Sequence, residues 1–251
     1  MTRTVFEIAQ DVTDIVGMQE INSLVGNRRE HARALRALFN RAGQLLTQRR
    51  NTWNASWTVL VKEHIFNTRD GVDEYEFPDD FLELAGGNIV WTRTNYRQAR
   101  GALSPGEWQI VKSGLIETTS IAPNYRIRRS GDGTGRSFFI DPVPSGAGEE
   151  LVYEYISRHW LRNADGSQFY SRINADTDVP LLDDDLLEMD LLWRFKQARG
   201  LQFAVELAEF ENERDQRLGR DSGPRQIDLT PTPVNAVDML IPDSGYGNIG
   251  T

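Results

Sequence analysis

Apolar residues at Val5, Ile8, Ala9, Val12, Ile15 and Val16 recur at steps of three and four, one face of a helix that Gly17 is placed to end. After a break at Val25-Gly26-Asn27 a second stripe follows: Leu35, Leu38, Phe39, Ala42, Leu45 and Leu46. Arg28, Arg29, Arg33, Arg36 and Arg41 fall mostly on its other side, a basic face turned to solvent or to a partner's acids. From Trp53 the stretches become shorter, β-branched and aromatic. They predict strands over 57–61 and 64–66, a hairpin turn at Arg69-Asp70-Gly71-Val72, and a strand over 74–77 that Pro78 ends. Further strands are predicted at 87–92, 124–129, 137–141 and 150–157. Among them Ser104 reads as a helix N-cap, with Pro105 at the first helical position and Glu107 three residues after the cap.

Helical periodicity returns after Pro180, over 184–199 and then, past Gly200, through Phe203, Leu207, Phe210 and Leu218. The tight glycine turn between them predicts an antiparallel pair. From Ser222 the period is lost among Pro224, Pro231, Pro233 and Pro242. Alone, such a segment cannot bury enough apolar surface to order itself. Ile227, Leu229, Val234, Val237, Met239, Leu240 and Ile241 are nevertheless too many apolar residues for a solvated tail. They predict an extended arm that orders on another subunit or another protein. The expected fold is α+β: N-terminal helices of a bundle over 1–56, a β-rich insertion over 57–160, C-terminal helices completing the bundle over 161–221, and an extended docking arm over 222–251.

With 39% hydrophobic and 26% charged residues in 251, the composition is that of an ordinary globular chain. Its formal charge of −9 argues against a protein that grips nucleic acid through phosphates, which needs many Lys and Arg contacts. The sequence contains no cysteine, so disulfides and thiolate metal sites are excluded. No apolar run reaches the length of about 18 residues that a membrane span needs. The N-terminus lacks the apolar core of a secretory signal, so a soluble protein made inside the cell is expected.

Candidate chemistry is sparse. The glycines of Ser130-Gly131-Asp132-Gly133-Thr134-Gly135-Arg136 lie between two predicted strands, where a hairpin loop is expected; a phosphate cradle would open a helix. His31, His64 and His159 have no metal-type spacing, and no GxSxG elbow accompanies the serines. The strongest candidate is the run Asp183, Asp184, Asp185, Glu188 and Asp190. Asp184, Asp185 and Glu188 could share a helix face and hold Mg²⁺ or Ca²⁺. The plainer reading makes Asp183 the N-cap and places Asp184 and Asp185 in the first turn, where negative charge suits the helix dipole. Leu182 and Leu187 would then form a hydrophobic staple, and Asp190 and Arg194 an i, i+4 pair. Leu186, Leu187, Met189, Leu191, Leu192, Trp193 and Phe195 surround most of this helix, which asks for several neighbours: the β-rich part, the first two helices, or another subunit. In the next helix Glu206, Glu209 and Glu213 line one edge, a solvated face or, in a ring, one that lines a channel.

The order of these signals resembles the head-to-tail connector proteins of tailed bacteriophages, the adaptor or tail tubular A-like group. The resemblance is carried by the two N-terminal helices, Asp70-Gly71, Tyr75-Glu76-Phe77-Pro78-Asp79-Asp80-Phe81, Leu103-Ser104-Pro105 with Glu107-Trp108, residues 138–142 and 153–157, the helix over 181–199, Phe210-Glu211 and Arg214-Asp215. It spans about residues 4–221, and the long arm after Ser222 departs from the shorter members. The resemblance implies a ring, commonly of twelve copies, seated under the portal protein and carrying a tail or nozzle protein. Double-stranded DNA would pass through the lumen without specific binding. It also implies a virion protein at the head-tail junction, made in the host bacterial cytoplasm, with no catalytic residue, cofactor, metal or membrane contact. Another tail completion or stopper protein is the alternative within this class; a carboxylate or Mg²⁺-dependent hydrolase ranks below both.

Overall fold

The first apolar stripe becomes a helix because Thr4 caps it. In the computed structural model, which describes residues 3–48, 56–85, 89–113, 123–133, 135–145 and 148–221, the Thr4 hydroxyl accepts the Glu7 amide at 3.2 Å. The Glu7 carboxylate accepts the Thr4 amide at 2.7 Å. This exchange satisfies two of the donors that any helix start leaves open. The helix, α1 (Val5–Val16), ends at Gly17, whose left-handed φ of 71° lets its amide turn back to Asp14. In α2 (Glu30–Thr47), Leu35, Phe39, Ala42 and Leu46 are buried while Arg33 and Arg41 face outward, as the periodicity predicts.

The β-rich part follows. Where the pattern predicts strand from Trp57, Thr58–Leu60 forms one 3-10 turn instead. The Asp221 carboxylate accepts the Thr58 amide at 2.6 Å and its hydroxyl at 2.8 Å, and this cap from the far end of the chain bends the backbone there. The strands are β1 (Val61–Asn67), β2 (Glu74–Glu76), β3 (Phe81–Leu84), β4 (Val90–Thr92) and β5 (Arg97–Gln98), then, after helix α3 (Pro105–Lys112), β6 (Asn124–Arg129), β7 (Arg136–Asp141) and β8 (Glu150–Ser157). β8 is the spine of a five-stranded antiparallel sheet. β1 covers one edge of it, from Val61 opposite Ile156 to Asn67 opposite Glu150, while β3 and β4 share the other edge and β5 lies outside β4. A second sheet has the order β2-β7-β6.

This topology corrects the predicted hairpin. β1 and β2 belong to different sheets, so Arg69-Asp70-Gly71-Val72 is a turn that carries the chain from one sheet to the other. The Gly71 amide bonds to the Pro144 carbonyl at 3.0 Å, and the Tyr75 hydroxyl bridges the Arg69 amide and the Val72 carbonyl, each at 2.8 Å. The turn is thus tied to its surroundings and does not close a ladder between its flanking strands. The inner faces of the two sheets share an aromatic core: Tyr125 and Phe138 stack at 4.9 Å between ring centres, and Phe138 and Tyr153 at 5.9 Å. Ser104 caps α3 as predicted, exchanging hydrogen bonds with Glu107.

Beyond β8, three two-residue strands, β9 (Leu161–Arg162), β10 (Phe169–Tyr170) and β11 (Val179–Pro180), form a small sheet in the order β10-β9-β11. Pieces so short carry no readable period. Then come α4 (Asp184–Ala198) and α5 (Ala204–Asp221), separated by Gly200 at a φ of 70°. They run antiparallel, because Lys196 meets Glu206 beside the turn and Asp183 meets Arg217 at the far ends. Leu186, Leu187, Leu191 and Phe195 of α4 are buried in one core with residues of α1, α2 and α5, and Met189, Leu192 and Trp193 pack against it. Leu60, Ala85, Ile156 and Trp160 join the same core from the β-rich part. The apolar circumference of α4 is therefore covered within the subunit.

Trp160 locks the two parts together. Its ring is fully buried against Phe39 at 5.9 Å between centroids, its indole N–H reaches the Ser171 carbonyl at 3.0 Å, and it lies so close to α2 that a Cβ on Gly43 would sit 2.2 Å from the ring. Gly43→Ala is expected to lose about 1–3 kcal/mol despite alanine's better helix propensity, because the indole has to shift. Gly106→Ala, on α3 with open space around it, should be neutral or slightly stabilising. Thermal unfolding of the two variants beside the parent checks both; equal melting temperatures for all three would contradict the contact.

Candidate functional site

The acidic start of α4 forms as the plainer reading predicts. Asp183 Oδ1 accepts the Leu186 amide at 3.0 Å, Asp184 and Asp185 fill the first turn, and Leu182 and Leu187 are both buried. Asp190 is fully buried, with its Oδ1 accepting from the Arg194 Nε at 2.9 Å and the Trp193 indole at 2.7 Å. Carboxylate oxygens of Asp183, Asp184 and Asp185 lie within 4.8 Å of one another, near enough in principle to share a cation. Guanidinium groups use them instead. Arg3 donates to Asp11 at 2.6 Å, to Asp185 at 2.7 Å, to Asp184 at 3.3 Å and also to Glu188, and Arg217 donates to Asp183. Burial opposes the charge on Arg3, yet its bonds to Glu188, Asp11 and Asp184 outweigh that and raise its pKa. The Asp184 carboxyl is in turn lowered: burial pushes it up and the Arg3 bonds pull it further down. The arrangement is a clamp between the N-terminus and α4.

Of the acids on α5, Glu206 pairs with Lys196, and Glu213 pairs with Arg217 at 2.7 Å; both carboxyls are lowered, chiefly by those bonds. Glu209 is exposed and makes no ion pair among the described residues. The predicted edge is thus partly neutralised by bases that the spacing did not bring forward, although Glu213 and Arg217 stand at the i, i+4 separation that would have identified them. Ile227, Leu229, Val234, Val237, Met239, Leu240 and Ile241 lie outside the described residues. The glycine-rich stretch is the hairpin loop between β6 and β7, with the Ser130 amide bonded to the Gly135 carbonyl at 2.9 Å.

The structure gathers one cluster that the sequence did not suggest. Asp80, just before β3, accepts Lys62 Nζ at 2.7 Å, the Ser157 hydroxyl at 2.7 Å and the Tyr155 hydroxyl at 2.8 Å. Burial would raise its pKa, but these donors bring it down to about 2. His64 and His159, on separate segments, both lie within the field of Asp80, while burial keeps their pKa values below normal. Ser157 is buried, its oxygen donating to Asp80 and accepting the His159 amide at 3.1 Å, so the hydroxyl is committed to the cluster. The cluster pins β1, β3 and β8 together where the β-rich part meets the bundle. No periodic signal could have found it, because its members come from distant segments: Lys62 on β1, Asp80 in the turn before β3, and Tyr155 and Ser157 on β8.

Two of the grooves among the described residues carry apolar side chains. One, of about 740 Å³, lies on the outer face of the five-stranded sheet, with Ile89, Trp91, Val152 and Tyr96 beside Glu63 and Arg93. The other, of about 500 Å³, opens where α5 ends, beside Val59 and Leu181.

Two substitutions test the polar anchors. Arg3→Ala should lose about 2 kcal/mol at neutral pH, and Asp80→Ala roughly 3 kcal/mol, because Lys62 and two hydroxyls lose their buried acceptor. Both carboxyls have folded pKa values below the ordinary value of about 3.9, so their contribution is present above about pH 4 and is lost as the pH falls through the folded value. Denaturant unfolding at pH 7 and at pH 3 checks the sign: the gap between parent and variant should narrow at the lower pH, and a widening gap would contradict it.

Among the described residues the acids at the start of α4 and around Asp80 are thus engaged in structural contacts, and shallow grooves lie on the same described surface. No curated protein matches the sequence. The sequence does match the family described as SU10 adaptor protein over residues 4–236. That match runs from the Thr4 cap through the whole described body and on into the arm, so the chain belongs to the SU10 adaptor family of bacteriophage head-tail adaptors.

Proposed function

We propose that this adaptor forms a closed ring, of twelve copies, between the portal protein of a phage head and the tail or nozzle protein beneath it. The observation that carries this reading is the family match along residues 4–236. Head-to-tail contacts between identical subunits close into a ring when the rotation between neighbours divides the circle. Double-stranded DNA passes through the lumen without specific binding. A chain of net charge −9 suits such a passage, because its overall field repels phosphates more than it holds them.

In this reading Glu206, Glu209 and Glu213 face the lumen. With Glu206 and Glu213 held by Lys196 and Arg217, the wall is only mildly repulsive, and Glu209 supplies its exposed charge. The work is structural, and no catalytic, cofactor or metal role is assigned. The particle is assembled in the host bacterial cytoplasm, with the adaptor ending at the head-tail junction of the virion. The arm over 222–251 supplies attachment, because its apolar residues need a surface on the portal or a neighbouring adaptor to cover them.

Deleting residues 222–251 tests this. Filled heads should fail to acquire tails and infectivity should fall by orders of magnitude, read by particle imaging and plaque counts. Normally tailed, infectious particles from the truncated chain would overturn the docking role of the arm.

A further inference from the structure

The described chain stops at Asp221 on the rim of the smaller groove, and the geometry there is fixed. The Asp221 carboxylate is bound by both the amide and the hydroxyl of Thr58, at 2.6 and 2.8 Å, which anchors the root of the arm beside Val59. Val59 is 50% exposed, and with Leu181 and the buried Leu182 it gives the groove an apolar floor. Arg217 and Arg220 share the rim with Asp183 and Asp221. Arg217 is engaged by Glu213 and Asp183, whereas Arg220 donates to Gln216 at 3.1 Å and makes no ion pair among the described residues.

The sequence that follows is complementary to this groove. In Ser222-Gly223-Pro224-Arg225-Gln226-Ile227-Asp228-Leu229, the Gly-Pro pair offers turn chemistry close to the root. In any extended segment the alternation would put Ile227 and Leu229 on one side and Asp228 on the other. Two aliphatic side chains match the floor, and the acid between them matches the rim arginine. The six residues from Asp221 to Ile227 reach at most about 20 Å, so the segment stays within range of its own groove. A tethered segment also meets its site at millimolar effective concentration, which a second copy does not match in dilute solution.

We propose that residues 227–229 seat in the groove of their own subunit, Ile227 and Leu229 on Val59 and Leu181, with Asp228 beside Arg220. The family match continues to residue 236, past this segment, so the latch lies within the stretch shared with the family. The seven apolar residues of the arm then divide. Ile227 and Leu229 fix the root and its direction, and Val234, together with Val237, Met239, Leu240 and Ile241 beyond the matched stretch, is left for a partner. Only that last assignment rests on the docking role proposed above; the latch itself does not.

The absence of natural cysteines makes the test direct. Val59→Cys is combined with Ile227→Cys in one full-length variant and with Asp228→Cys in another, and the rate of disulfide formation under mild oxidation is followed by mass spectrometry and non-reducing gels. The two tethers differ by one residue, so random encounter gives nearly equal rates. A seated segment should close the 227 pair within one chain at least about fivefold faster than the 228 pair, independently of protein concentration. Adding Arg220→Glu should reduce that preference. Equal rates for the two pairs would overturn the latch, and bonds formed only between chains, rising with concentration, would assign the groove to a second copy instead. Since only the purified chain is used, this outcome is separate from whether deleting the arm prevents tail attachment.

Discussion

A helix as apolar as α4 has to be covered on several sides, and the chain covers it with elements drawn from both of its ends. α1 and α2 come from the first 47 residues and α5 from the last described stretch, while Ile156 and Trp160 bring the end of the central strand into the same core. Burial of this kind is the dominant favourable term in folding, and here it also sets the topology. The β-rich part leaves the bundle after α2 and returns to it along β8, so its two attachments lie close together at Trp57 and Trp160. Arg3 and Asp221 then secure the two ends of the described body, one on the acids of α4 and the other on the turn before β1.

The same economy governs charge. Acids that might have formed a cation site or a continuous negative wall are met by arginines and lysines of the same subunit, and the one deeply set carboxylate of the β-rich part is fully engaged by Lys62, Tyr155 and Ser157. A body built this way has a stable shape and little reactive polarity. In the role proposed above, attachment is left to surfaces at its edges and to the arm.

What the sequence made legible was local. The Asp183 cap, the Ser104 box, the Gly17 stop and the Asp190–Arg194 pair are each written within four or five residues, where helix geometry fixes the outcome. The α+β class followed from the change of period at Trp53 and its return after Pro180. Long-range pairing was not legible. Nothing near Arg3 announces Asp184, 181 positions away, and nothing in the Asp70-Gly71 turn tells that its flanking strands join different sheets. The stripe of α4 showed that neighbours were needed and pointed to the β-rich part and the first two helices; the folded chain adds α5 to them in one core.

The claim on which the functional account rests is that identical bodies of this shape close into a ring seated on the portal. Electron microscopy of the full-length protein mixed with purified portal assemblies tests it most directly. The account predicts rings of this chain stacked directly on the portal, coaxial with its channel and with an open lumen. Subunits that remain monomeric beside bare portals, or that bind only at the distal end of the tail, would contradict it.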